Sequence, residues 1–150
     1  MKLTSIDSLS TDGEEEAALL CDMAAKARSY VSSFSWCPNI KAAYLAFGIG
    51  KVVGVFLFDF QSKVGGTDDR LWVMVGDLPD AYLVVEPDDS AKEALVRYCE
   101  LMDDWISAVL TFGKFDDVFP VAAPRTIENA NLLRRRLDFL RSEIIPTMDH

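Results

Sequence analysis

The sequence predicts an α+β fold, with a four-stranded, mainly antiparallel sheet and three helices in the order α-β-β-β-β-α-α. Two observations lead to this prediction. Segments on both sides of the middle carry apolar residues every three or four positions, and the middle carries runs of β-branched and aromatic residues separated by turn residues. Strands joined by short turns pair antiparallel, so a meander layered with helices is the simplest arrangement. At 150 residues we expect a single domain.

The first helix is expected to begin near Asp12. Thr11 and Glu14 have the spacing of a capping box, and an acidic run places negative charge at the electropositive N-terminus of the helix. The segment from Ser33 to Asn39 is expected to end it. Its inward stripe consists of Leu20, Ala24, Ala27, Val31 and Phe34.

Four strands are expected in the middle of the chain. The runs AAYLAFGI and VVGVFLFDF meet at a glycine-containing turn, Gly48 to Lys51, and the second run is apolar on both faces, so both faces need cover. A loop is predicted from Gln61 to Asp69. Two more strands follow near residues 70–75 and 81–86, joined by the turn from Gly76 to Asp80.

Two helices are expected in the last third of the chain. Ser90 and Glu93 have capping-box spacing and Gly113 is suited to end the second helix, while Thr126 is suited to cap a third helix that ends before Pro146. The inward stripe of the second helix is Ala91, Leu95, Tyr98, Met102, Trp105, Val109 and Phe112. That of the third helix is Ile127, Ala130, Leu133, Leu137, Leu140 and Ile144.

The net charge is −9, and most of the excess lies in residues 77–117, where eleven Asp or Glu face three Lys or Arg, a balance of −8. An acidic protein repels phosphate groups, so neither nucleic acid nor an anionic membrane is expected as a partner. The basic run Arg134 to Arg136 does not change this, because nearby acids can pair with it. The alternative interpretation of the charge is that it only maintains solubility.

We expect a cytoplasmic protein. The N-terminal residues lack the apolar stretch of a signal peptide, and the most apolar region, Ala42 to Phe58, is interrupted by Gly50 and Lys51. The three cysteines are widely spaced, which suggests neither a disulfide framework nor a zinc site. Two of them, Cys21 and Cys99, are interpreted as small core residues.

No residue is predicted to be catalytic, and neither a cofactor nor a metal is predicted. His150 is the sole histidine and the last residue, and no phosphate-binding or dinucleotide-binding glycine motif is present. Asp doublets occur at 68–69, 88–89, 103–104 and 116–117. They are interpreted as solvated surface acids, because none has the spacing of an EF-hand loop and adjacent helical residues point about 100° apart.

A protein-binding surface is the leading functional hypothesis. Trp72 and Tyr82 flank the turn from Gly76 to Asp80 on neighbouring strands, so the hairpin is expected to present them as apolar anchors beside acidic residues that attract a basic partner. The predicted contact residues are Trp72, Asp77, Asp80, Tyr82, Asp88, Asp89, Glu100, Asp103 and Asp104.

One block of the chain looks like that of small bacterial proteins: it consists of VGDLPDAYLV and of the following helix, which contains YCELMDDW. In size and charge the chain resembles the immunity proteins of bacterial toxin systems. This resemblance implies a cytoplasmic protein that blocks a toxin domain by tight binding. It transfers no individual site residue to this chain.

Two alternatives remain open at this point. The first is a ligand-binding or enzymatic domain that uses buried carboxylates, such as Asp59 or Glu86, in a pocket between sheet and helices; a salt bridge from Asp59 to Arg70 or Lys63 is the simpler explanation of that residue. The second is a homodimer that covers part of an apolar sheet face, since three helices can be too few for both faces of four strands.

Overall fold

The computed structural model describes residues 3–9, 15–64 and 68–148. By its internal contacts the chain forms two compact units, Met1–Ala91 and Lys92–His150. The expectation of a single domain stays a prediction. Within the described residues, no helix is both long enough and apolar enough to span a membrane.

The first unit contains a five-stranded antiparallel sheet in which each strand pairs with the next one along the chain. The α+β class, the antiparallel meander and the three helices are confirmed, whereas the count of four strands is wrong by one short edge strand. That strand escapes pattern recognition because two residues cannot show an alternation. The strands are β1 Thr4–Ser5, β2 Ile40–Ile49, β3 Val53–Val64, β4 Asp68–Gly76 and β5 Ala81–Val84.

One face of the sheet packs against helix α1, which spans Glu15–Ser32. The helix buries residues three or four positions apart, as its sequence predicts, and they meet every second residue of β3 and β4. The buried cluster contains Met23, Ala24, Ala27, Val31, Ala43, Phe56, Phe58, Phe60, Leu71, Val73 and Val75. The predicted start of this helix, with Thr11 and Glu14, lies outside the described residues.

The opposite face of the central strands is buried as well. Val55, Leu57, Trp72 and Met74 are each at most 1% exposed. The uncovered apolar face that motivated the homodimer is therefore not found at these positions. The homodimer itself stays a prediction.

The turn between β2 and β3 is tied to the start of α1. Gly50 donates its backbone N–H to the Glu16 carboxylate at 2.7 Å, and Lys51 takes a left-handed conformation with φ of 65°. A Cβ at position 50 would lie 2.8 Å from the Leu19 Cβ and would displace the Glu16 carboxylate, so glycine is required by the close approach. This contact fixes the acidic first turn of the helix against the hairpin.

The loop predicted from Gln61 to Asp69 is largely strand. β3 continues to Val64 and β4 begins at Asp68, while residues 65–67 lie outside the described part of the chain. The polar composition misled the prediction because Gln61 and Ser62 are exposed, and an exposed hairpin end does not need apolar alternation.

The second unit begins within helix α2, Ala91–Leu110, whose predicted stripe is buried as far as Val109. The prediction that Phe112 faces inward is wrong, because this side chain is 86% exposed. It takes the left-handed position of a Schellman motif, with φ of 53°, and the Gly113 N–H donates to the Ala108 carbonyl at 2.8 Å. The terminating residue is therefore one position earlier than the predicted glycine.

Helix α3 spans Ile127–Phe139 and is capped as predicted, since the Thr126 hydroxyl accepts from the Asn129 N–H at 3.1 Å. A π-helical segment, Leu140–Ile144, and a short 3₁₀ turn follow. The predicted inward residues from Ala130 onward are buried. The prediction that Ile127 faces inward is wrong. This residue, at the first helical position, is 52% exposed, because burial begins one turn later.

Candidate functional site

Four aromatic side chains meet in the first unit and form what we call the aromatic cluster: Tyr30, Phe34, Trp36 and Tyr82. Tyr30 lies near the end of α1, Phe34 and Trp36 follow the helix, and Tyr82 lies on the edge strand β5. Turn hydrogen bonds after the helix, including Cys37 N–H to the Phe34 carbonyl at 3.1 Å, fold the connecting segment back. The cluster thus joins a helix end to a sheet edge.

The rings of the cluster pack closely against one another. Phe34 and Trp36 are stacked, with centroids 5.0 Å apart, and Tyr82 lies 5.1 Å from Trp36 and 5.3 Å from Phe34. Tyr30 meets Phe34 edge to face at 5.2 Å. Such arrangements match the favoured geometries of aromatic pairs, so each ring is held in place by its neighbours.

Trp36 is the most solvent-accessible ring of the cluster, with 37% of its surface exposed, whereas Tyr30, Phe34 and Tyr82 are half-buried. The other two tryptophans, Trp72 and Trp105, are at most 2% exposed. An exposed tryptophan on a rigid aromatic support is a typical anchor of protein interfaces. The cluster is therefore the strongest candidate for a binding surface in this unit.

Asp80 and Lys26 flank the aromatic cluster. The Lys26 ammonium lies 3.5 Å from Asp80 Oδ1 and donates a hydrogen bond to the Gly76 carbonyl at 3.4 Å. Asp80 Oδ1 is buried and has no hydrogen-bond donor among the described residues. Burial raises the pKa of the Tyr30 hydroxyl, and the nearby Tyr82 and Asp80 raise it further. Asp80 is thus held beside the aromatic rings by a single, loose ion pair.

The pH dependence of stability is expected to report on Asp80. Burial raises the pKa of its carboxyl, and the Lys26 ammonium offsets only part of this rise. The folded chain then retains a proton that the unfolded chain has lost, so the free energy of unfolding falls as pH rises through the raised pKa. Asp80→Asn should therefore raise the free energy of unfolding at neutral pH by up to about 1 kcal/mol.

Urea unfolding at several pH values checks this prediction. The advantage of Asp80→Asn should shrink on acidification and disappear near about pH 3, where the aspartate of the wild type is protonated as well. A variant that is less stable than the wild type at neutral pH would show that the ion pair with Lys26, and not burial, dominates.

Trp72 and Asp89, both predicted to contact a partner, instead contact each other. Trp72 is fully buried and its indole N–H donates to Asp89 Oδ2 at 2.8 Å. The same carboxylate accepts from the backbone N–H groups of Glu86 and Ser90 at 3.1 Å. The expectation that the hairpin presents Trp72 as a surface anchor is therefore wrong. Asp89 organises the connection that leads to α2.

The remaining predicted contact residues lie in two groups. In the first unit, Asp77 and Asp88 are exposed, and Asp88 has a left-handed backbone with φ of 56°. In the second unit, Glu100 and Asp104 are exposed, and Asp103 pairs with both terminal nitrogens of the Arg141 guanidinium.

The carboxylates of the pocket hypothesis have simpler roles. Asp59 accepts from Arg70 Nε at 2.7 Å across the β3–β4 pair, which confirms the salt bridge considered for it, and Glu86 is exposed. In the second unit a shallow depression of about 360 Å³ lies at the end of α2, lined by Asp104, Ser107, Thr111 and Lys114 among others. It is broadly open to solvent and contains neither Asp59 nor Glu86.

Burial stabilises the neutral thiol form of two of the cysteines, Cys37 and Cys99. Cys99 is fully buried, as predicted, and burial raises its pKa to about 11. Burial raises the pKa of the Cys37 thiol too, while Cys21 is only partly buried. Thiolates are the nucleophilic form, so these environments disfavour catalysis by Cys37 and Cys99. No group of three or more His, Cys, Asp or Glu in the described ranges is placed to hold a metal ion.

The sequence did not point to Tyr30, Phe34 and Trp36 as site residues. Phe34 was predicted to belong to the inward stripe of the first helix, but α1 ends at Ser32 and Phe34 is only half-buried. The available signal was the close spacing of Phe34 and Trp36 at the predicted end of this helix. Comparisons with protein-family models, curated proteins and solved structures found no match.

Proposed function

We propose that this chain is a protein-binding domain that recognises a basic partner through the aromatic cluster and the adjacent acids Asp77 and Asp80. The observation that carries the proposal is the exposed Trp36, stacked on Phe34 in a cluster whose Tyr30 lies close to the loosely paired Asp80. The pocket alternative is not supported by its own candidates, because Asp59 is paired with Arg70.

The packing of the cluster favours high affinity. Binding normally costs side-chain entropy when surface groups become ordered, but the rings of Trp36 and Tyr82 are already held by aromatic neighbours. Trp and Tyr are also the residue types most enriched among those that dominate binding energies. A partner would need only to cover the exposed ring face.

Charge favours a basic partner over a neutral or acidic one. The net charge of −9 attracts cations at long range, and Asp77 is exposed and close in sequence to Asp80 and to the cluster residue Tyr82. Complementary charge of this kind mainly raises the association rate and selects the partner, while buried aromatic contacts supply most of the affinity. The two features therefore have separate experimental signatures.

Within this class, we propose an immunity protein that neutralises a bacterial toxin domain in the cytoplasm. The small size and the acidic charge, in which the chain resembles immunity proteins, support this proposal, and the region from VGDLPDAYLV to YCELMDDW resembles small bacterial proteins. Inhibition by such a protein requires tight binding and no chemistry of its own. The partner would be a toxin domain with a basic surface.

The proposal is tested first by capture of partners from the native lysate at low and high salt, followed by purification of the retained protein and kinetic binding measurements. The double variant Asp77→Asn/Asp80→Asn should slow association several-fold and reduce its salt dependence. Asp116→Asn/Asp117→Asn is the matched control, because it removes two exposed charges from the second unit.

Equal effects of the two double variants would mean that only net charge matters and would contradict a defined surface. Retention of a partner whose association is insensitive to salt and to both variants would contradict the proposal as a whole. A selective effect of the first variant would support it.

A further inference from the structure

We infer that Asp80 and Trp36 form a subsite for an arginine side chain of the partner, and that Lys26 occupies this subsite in the free protein. The inference rests on the proposed function and adds to it the chemistry that the surface recognises. Three features carry it: the incomplete hydrogen bonding of Asp80, the looseness of the Lys26 contact and the exposed aromatic face.

Asp80 is less well satisfied than Asp59 and Asp103. Asp59 accepts a hydrogen bond of 2.7 Å from Arg70, and Asp103 accepts two from Arg141. Asp80 Oδ1, in contrast, is buried with no hydrogen-bond donor within the described chain. Since a buried acceptor without a donor is costly, a ligand that donates to Asp80 gains an interaction that the free protein lacks.

Lys26 is suited to be displaced. Its side chain is 51% exposed, and its ammonium lies 3.5 Å from Asp80 while it donates to the Gly76 carbonyl. A long ion pair whose ammonium is half exposed contributes little to stability. The Gly76 carbonyl also gives the ammonium a second partner, so Lys26 does not depend on Asp80 alone.

Arginine fits this environment better than lysine. A guanidinium is planar, donates two parallel hydrogen bonds to a carboxylate and stacks on aromatic rings, whereas an ammonium is a compact and strongly hydrated point charge. Trp36 offers an exposed aromatic surface in the cluster that Asp80 flanks. The chain itself shows such stacking elsewhere, where the Arg125 guanidinium lies 3.9 Å from the centre of the Phe115 ring.

The test uses NMR titrations of the full chain with short capped peptides in which glycine alternates with arginine, lysine or citrulline. Citrulline keeps the planar shape of arginine but lacks its charge. The readout is the indole N–H resonance of Trp36, assigned with Trp36→Phe. The arginine peptide should shift this resonance with an affinity about threefold or more above that of the lysine peptide, and citrulline should have no effect.

Three variants complete the test. Asp80→Asn should weaken binding of the arginine peptide about fivefold or more, and Lys26→Met, which keeps the aliphatic stem, should strengthen it up to about fivefold. Asp7→Asn is the control, because it removes one exposed charge from the same unit just after β1, which forms the sheet edge opposite β5. It should leave the titration unchanged.

Equal responses to arginine and lysine, or binding that survives both Asp80→Asn and Lys26→Met unaltered, would overturn the inference. If the natural partner still required Trp36 in that case, the proposed function would stand and only the arginine subsite would fall. If the arginine peptide behaved as expected but no partner depended on Trp36, the proposed function would fall instead.

Discussion

Asp89→Ala is expected to lower the free energy of unfolding by about 3 kcal/mol. The substitution removes an acceptor from three donors at once: the buried indole N–H of Trp72 and the backbone N–H groups of Glu86 and Ser90. Hydrogen bonds to a charged group are among the stronger ones in proteins, and a buried donor left without an acceptor carries a desolvation cost. The loss should therefore exceed that of an ordinary surface substitution.

Urea unfolding followed by tryptophan fluorescence measures this effect. Asp88→Asn serves as the control and should change the free energy of unfolding by less than about 0.5 kcal/mol, because Asp88 is exposed and asparagine tolerates its positive φ. Asp89→Asn should give an intermediate loss, since its single carbonyl retains part of the acceptor capacity. A loss below about 1 kcal/mol for Asp89→Ala would return this residue to the candidates for partner contact.

Trp36→Ala is expected to weaken partner binding about 30-fold or more, corresponding to about 2 kcal/mol. The substitution removes the most exposed ring of the aromatic cluster and the stacking partner of Phe34. Most of the change should appear in the dissociation rate, because aromatic anchors act after the encounter. Trp36→Phe should show a smaller loss.

The matched control is Phe112→Ala, which truncates an aromatic side chain that is 86% exposed in the second unit. Both variants keep the net charge, so differences between them report on position alone. Circular dichroism should confirm that each remains folded. An equal loss of affinity in the two variants, or none in Trp36→Ala, would show that the aromatic cluster is not the anchor.

The elements of this fold could be predicted because their signals are local. The stripe of α1, the strand composition of β3 and the Thr126 cap of α3 each depend on residues within a few positions of one another. Phe112 was predicted wrongly because it adopts the left-handed conformation that ends α2. Glycine is the usual residue at such a position, so the sequence did not indicate that the buried stripe stops before Phe112.

The candidate site was harder to predict because its members come from separate segments. Strand alternation places Tyr82 on one face of the sheet and Trp72 on the opposite face. Because both faces are apolar, alternation alone does not say which of the two aromatic rings reaches solvent. The packing of Tyr82 against Phe34 and Trp36 requires β5 to lie at the sheet edge beside the end of α1. Long-range arrangement, rather than local preference, decides this surface.

The roles of the acidic residues are likewise decided by long-range arrangement and not by local sequence. Asp77, Asp80 and Asp89 have similar sequence surroundings, yet one is exposed, one is loosely paired beside aromatic rings and one accepts three hydrogen bonds. Counting acidic residues predicts the sign of a partner's charge. It does not separate carboxylates that bind a partner from those that hold the fold together.

Hydrogen exchange measured by mass spectrometry, with and without the purified partner, tests the central claim most directly. We expect binding to slow amide exchange in residues 26–36 and 77–84, the segments that carry the aromatic cluster and Asp80. Protection confined to α2 and α3, with these two segments unchanged, would contradict the account and place the binding surface on the second unit.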